Sequence, residues 1–102
     1  MKISVAMCTF NGSRYLEEQL GSVAQQSLSP FELVVCDDGS TDATVEIVHR
    51  FALRSPFPVY LHQNVTNLGS TRNFEQAIQL CRGEAIALCD QDDYWLPRSW
   101  RL

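Results

Sequence analysis

The sequence predicts an α/β fold: a three-layer sandwich on a mainly parallel, doubly wound sheet. Three observations carry that expectation. Four short apolar runs, at residues 3–8, 33–36, 59–61 and 85–89, do not alternate with polar residues, the pattern of strands covered on both faces. Segments with helical period separate these runs. Polar and acidic residues gather directly after each run, at the edge where an open parallel sheet receives its ligands.

The elements follow in order. After the first run, Leu16, Leu20, Val23 and Ala24 recur at helical spacing behind Ser13, a candidate N-cap, with Glu17 and Glu18 early enough to suit the helix dipole. Pro30 sits in the connection to the second run, where its fixed φ is harmless. Val45, Ile47, Val48, Phe51 and Ala52 form a second helical stripe behind Ser40-Thr41-Asp42, a cluster able to cap it. Pro56 and Pro58 precede the third run. Phe74, Ala77, Ile78 and Cys81 form a third stripe behind Gly69-Ser70-Thr71, with Gly83 as its natural stop. The fourth run leads into an acidic loop and a helix start at Pro97. Alternation with short links implies right-handed crossovers.

Composition narrows the function classes. The 102 residues, 45% of them hydrophobic and 20% charged, suit one globular domain and argue against wholesale disorder. A net charge of −4, with Lys2 as the one lysine, offers no basic face for nucleic acid or for an anionic membrane surface. The apolar N-terminus is interrupted by Ser4 and by Thr9–Asn11, too soon for an export signal. Cys8, Cys36, Cys81 and Cys89 show no metal-ligand spacing and read as small core residues in a reducing compartment, so cytoplasm is the expected location.

The strand ends hold the chemistry. Asp90, Asp92 and Asp93 repel one another unless a cation or strong donors offset them, so they read as a hard-cation site or as an acidic turn. Asp37 and Asp38 read as turn chemistry or as an acceptor for a ligand N–H. Arg72 falls in the first turn of the third helix, where a cation opposes the dipole; it reads as a phosphate contact or as a solvated side chain. Phe10, Tyr94 and Trp95 could stack on a base or sugar, or belong to the core. Neither a Walker-type loop nor a G-x-G-x-x-G follows the first strand.

Taken in order, Thr9-Phe10-Asn11, Val34 to Asp42, Asn67-x-Gly69 with Arg72-Asn73, Gly83-Glu84 and Asp90-Gln91-Asp92-Asp93-Tyr94-Trp95-x-Pro97 resemble family 2 glycosyltransferases across essentially the whole chain. The Asp-Gln-Asp-Asp-x-Trp form is most similar to rhamnosyltransferase-type members that build surface polysaccharides. The resemblance implies a GT-A (Rossmann-like) fold, a UDP- or dTDP-sugar donor, Mg²⁺ or Mn²⁺, and a glycan or lipid-linked glycan acceptor. By the same resemblance, Thr9, Phe10 and Asn11 line the base and ribose, and Asp38 accepts from the pyrimidine imide. Arg72 approaches the ribose or diphosphate. Asp92 contacts the metal, while Asp90 contacts the metal or the ribose. Cys8 stands where many members have proline. Residues 1–102 read as one donor-binding domain. The acceptor half and the catalytic base are expected beyond Leu102, which leaves a truncated, inactive unit prone to self-association. Its expected place is the cytoplasm, including the inner face of the membrane.

Two alternatives belong to other classes. A phosphoacceptor receiver-like domain needs an acid pair after the first strand and a nearby lysine, and Lys2 stands at the wrong end of a strand. A non-catalytic nucleotide-binding or assembly module would keep the fold without transfer, and the sequence downstream of Leu102 discriminates it.

Overall fold

Strands and helices alternate in the expected order: β1 (Ile3–Thr9), α1 (Ser13–Ala24), β2 (Glu32–Asp37), α2 (Thr44–Arg54), β3 (Val59–Gln63), α3 (Ser70–Leu80) and β4 (Ala85–Asp90). The structure is a computed structural model and describes residues 1–90. The expectations for Asp92, Asp93, Tyr94, Trp95 and Pro97 lie outside the described residues. No helix among the described residues is long and apolar enough to cross a membrane.

All four strands are parallel, in the order β3-β2-β1-β4. The chain runs outward from β1 through β2 to β3, then returns to the other side of β1 to lay down β4. That reversal makes the carboxyl ends of β1 and β4 the switch point, where such sheets open a crevice. Cys8 is the register partner of both Cys36 and Asp90, so three strand ends lie side by side.

The period of two along each strand divides the core. Val5, Met7, Leu33, Val35 and Cys89 pack against Leu16, Leu20 and Val23 of α1 and against Ile47, Val48 and Phe51 of α2. On the other face, Ala6, Cys8, Val34 and Cys36 meet Ala77 of α3, with Phe74 and Cys81 half-buried alongside. Helices on both faces complete the three-layer sandwich. β1 and β2 are buried along their whole length, which is why their apolar runs do not alternate. All four cysteines are free thiols.

Three local expectations need correction. Neither edge strand is covered on both faces among the described residues: β3 is half-buried to exposed and β4 leaves Ile86 and Leu88 exposed, because α3 sits over β1 and β2. Ser13 does not cap α1 through its side chain; Gly12 takes the cap position, and its carbonyl accepts from the N–H groups of Tyr15 and Leu16. Gly83 does not end α3, which stops when Cys81 turns extended (φ −73°, ψ 140°). Glycine is required at 83 for a different reason: a Cβ there would lie 2.6 Å from Ser4 Oγ and 2.7 Å from the Lys2 carbonyl oxygen.

The donors at the start of α1 are satisfied from the first residue of α2 and the loop before it. Gly12 N–H donates to Thr44 Oγ1 at 3.0 Å, and Ser13 N–H donates to Asp42 Oδ2 at 3.1 Å. Asp42 also accepts from the Thr44 N–H at 2.9 Å and from the Thr44 hydroxyl. That hydroxyl pulls the Asp42 carboxyl down, burial opposes it, and the Thr44 and Ser13 donors leave it at about 2. At the opposite end of the sheet, the fully buried Glu32 accepts from Ser4 Oγ at 2.7 Å and from the Arg82 N–H at 2.6 Å, tying the entry to β4 onto β1 and β2.

Candidate functional site

A hollow of about 320 Å³ opens at the carboxyl end of the sheet, lined by Cys8, Thr9 and Phe10 from the end of β1, Asp38 after β2, and Asn67, Gly69, Ser70 and Asn73 around the start of α3. Three stretches far apart in sequence meet here because β1 and β2 are neighbours and α3 covers both. Asp90 ends β4 opposite Cys8, which sets the backbone of the first residue of the Asp-Gln-Asp-Asp stretch beside a lining residue.

The two aspartates after β2 have different tasks. Asp37 is committed to the turn: it accepts from Thr9 Oγ1 at 2.7 Å, from the N–H groups of Gly39 and Ser40, and from Ser40 Oγ at 2.6 Å. Asp38 is 5% exposed and lines the hollow. Its Oδ1 accepts from the Leu68 N–H at 2.7 Å and from Asn64 Nδ2 at 2.9 Å, and its Oδ2 accepts from the Gly69 N–H at 3.0 Å. Burial pushes the Asp38 carboxyl up, but the Leu68, Asn64 and Gly69 donors outweigh it and hold the group below the usual carboxylate range. Of roughly four lone-pair positions on a carboxylate, one on Oδ2 is left over among the described residues. Asp38 therefore remains an anionic acceptor at neutral pH.

The other sequence-predicted residues divide as follows. The Thr9 hydroxyl is spent on Asp37, so Thr9 contributes shape and backbone to the hollow. Phe10 is 48% exposed and is among the residues that line the hollow. Asn11 lies outside the lining, in a left-handed conformation (φ 50°), where its N–H donates to Ser40 Oγ and its Oδ1 accepts from the Thr41 N–H. It braces the β1 turn against the β2 turn. Arg72 is exposed in the first turn of α3, adjacent in sequence to the lining residue Asn73, and does not itself line the hollow. No cluster of three or more metal-ligating side chains occurs among the described residues.

Sequence reasoning did not assign roles to Asn64, Asn73 and Gln76. Asn73 is 1% exposed, donates to the Cys36 carbonyl at 2.9 Å, and accepts from Asn64 Nδ2 at 2.8 Å. Gln76 Nε2 donates to Asn64 Oδ1 at 2.7 Å. Polar residues on the sheet-facing side of α3 were the available signal, since a buried amide needs partners.

The sheet order, with its hollow at the switch point, is that of an α/β domain of GT-A type. Residues 4–101 match the family model described as Glycosyl transferase family 2, and the chain belongs to that family. An uncharacterized Mycobacterium tuberculosis protein is 41% identical over 96 residues, covering 91% of this chain and 27% of its own length. The Staphylococcus aureus TarS 1-349 structure in complex with UDP-GlcNAc superposes with a TM-score of 0.87 at 35% identity, covering 97% of this chain and 29% of that one. The mannosyltransferase PcManGT from Pyrobaculum calidifontis, in complex with GDP-Man and Mn²⁺, gives a TM-score of 0.86 at 29% identity, covering 95% and 29%. The chain spans less than a third of each of these three proteins.

Proposed function

We propose that the protein is a glycosyltransferase and that these residues bind its donor, a UDP- or dTDP-sugar, with Mg²⁺ or Mn²⁺. Transfer is to a glycan or lipid-linked glycan acceptor in cell-surface polysaccharide synthesis, on the cytoplasmic side and including the inner face of the membrane. Residues 1–102 act as one donor-binding domain, and no catalytic base is assigned within them.

The observation that carries this reading is the ionised Asp38, with one acceptor position left beside the hollow. Such a group recognises an N–H donor, as on the imide edge of uracil or thymine, and pays little for desolvation because three internal donors already hold its charge. Phe10 offers a ring to stack on the base. Arg72, a cation where the helix dipole disfavours one, is offset by an anionic ribose-diphosphate partner. Asn11 keeps the β1 turn in place for the ribose.

Asp92 and Asp90 are the residues assigned to hold the cation. Carboxylate oxygens suit a hard divalent ion, and Asp90 ends β4 opposite the lining residue Cys8. When bound, the ion neutralises charge on the diphosphate leaving group.

Titration calorimetry with UDP and dTDP in Mn²⁺ tests the reading. Asp38→Asn keeps the shape and removes the charge, and is expected to weaken both nucleotides about tenfold. Unchanged binding by that variant, or metal-independent binding that survives Asp92→Ala, overturns the assignment.

A further inference from the structure

The orientation of the buried amides behind Asp38 is determined from one end. The Cys36 carbonyl can only accept, so Asn73 must present Nδ2 to it and Oδ1 to the other side. Asn64 therefore meets Asn73 with its Nδ2, and the same Nδ2 reaches Asp38 Oδ1. The Asn64 Oδ1 is left for Gln76 Nε2, which donates to it at 2.7 Å. The row Gln76 → Asn64 → Asn73 → Cys36 runs in one direction, with a branch from Asn64 to Asp38. Reversing Asn64 would set its carbonyl oxygen against the carboxylate and break both contacts. Of the five residues that surround the carboxylate or orient its partner, Gly69 and Asn73 line the hollow, while Leu68, Asn64 and Gln76 do not. Oδ1 is bonded to Leu68 and Asn64, neither of which lines the hollow, and is the rear oxygen in that sense; Oδ2 is bonded to Gly69, which does line it, and keeps the acceptor position left over.

We propose that Asn64, oriented by Asn73 and Gln76, is a positioning residue for base selection: by filling the rear of Asp38 it leaves the hollow a single fixed acceptor, which selects nucleobases bearing a ring N–H. Uracil, thymine and guanine carry such a group. Cytosine and adenine instead present a bare ring nitrogen that would face the carboxylate lone pair to lone pair. The inference rests on the donor-site reading above and adds how that site rejects the wrong base. Neither Asn64 nor Gln76 lines the hollow, so both act through Asp38.

The test is the ratio of UDP to CDP affinity, measured by calorimetry in Mn²⁺ on the wild type and three variants. Partial unfolding weakens both nucleotides by the same factor and leaves the ratio unchanged, so a merely structural role does not move it. Asn64→Ala frees the rear of the carboxylate, and Gln76→Glu offers only an acceptor to Asn64 and turns its amide the wrong way; each is expected to lower the ratio about tenfold. Gln76→Lys keeps a donor and is expected to retain the wild-type ratio. A wild type that prefers UDP, with the ratio unmoved in Asn64→Ala and Gln76→Glu, overturns this inference and leaves the donor-site reading standing. A wild type that binds both nucleotides equally overturns the inference and the imide-reading role of Asp38, and leaves nucleotide binding at the hollow standing. A wild type that binds neither overturns the donor-site reading and this inference with it.

Discussion

Asp42 shows how much one exposed carboxylate can organise, since it accepts N–H groups at the starts of both α1 and α2. Its folded value of about 2 lies below the ordinary 3.8, so its contribution is complete above that ordinary value and is lost as pH falls towards 2. Solvent screening trims the effect. Asp42→Ala is expected to cost about 1 kcal/mol at pH 7, as loss of a helix cap does. The difference from wild type should shrink between pH 4 and pH 3 in urea melts, and a pH-independent difference would contradict the linkage. Single residues also mark the limit of what the sequence reveals. Asp38, Thr9 and Phe10 were readable because they directly follow apolar runs, and the sheet edge collects whatever follows its strands. Asn64 was not readable, because its partners Asn73, Gln76 and Asp38 stand 9, 12 and 26 residues away and meet it only after α3 docks.

At the level of elements, periodicity disclosed each helix and strand while the joints stayed hidden. Helical stripes and apolar runs are local, whereas the donors at the start of α1 are satisfied by Thr44 and Asp42, some 30 residues on. The strands extend past their apolar runs because backbone pairing continues through polar residues such as Asp37 and Gln63. The openness of β3 followed from its place in the sheet order, which its own five residues do not encode. Two glycines separate these influences. Gly83→Ala forces a Cβ against backbone and a buried hydroxyl where α3 passes into β4, and is expected to destabilise by about 1–3 kcal/mol. Gly21→Ala, inside α1 with nothing within 4 Å of the new Cβ, is expected to stabilise by about 0.5–1 kcal/mol. Thermal melts of the two variants should move in opposite directions.

Across the whole molecule, the sheet has two edges among the described residues, β3 and β4, and the β4 side leaves Ile86 and Leu88 exposed. The isolated 102-residue polypeptide is expected to self-associate through that surface, and Leu88→Lys should shift it towards monomer in light scattering. A polypeptide that stays monomeric at high concentration would remove the expectation. The parallel architecture was readable in advance because four apolar runs separated by three helical stripes leave few other ways to cover both faces. The hollow draws its walls from residues 8 to 73, so no single β-α-β excursion possesses it. Occupancy by a small molecule is accordingly a sensor of complete folding. At a hundredfold excess over its dissociation constant, such a ligand adds about 2.7 kcal/mol to the entire sheet at once and favours all-or-none melting over piecemeal fraying.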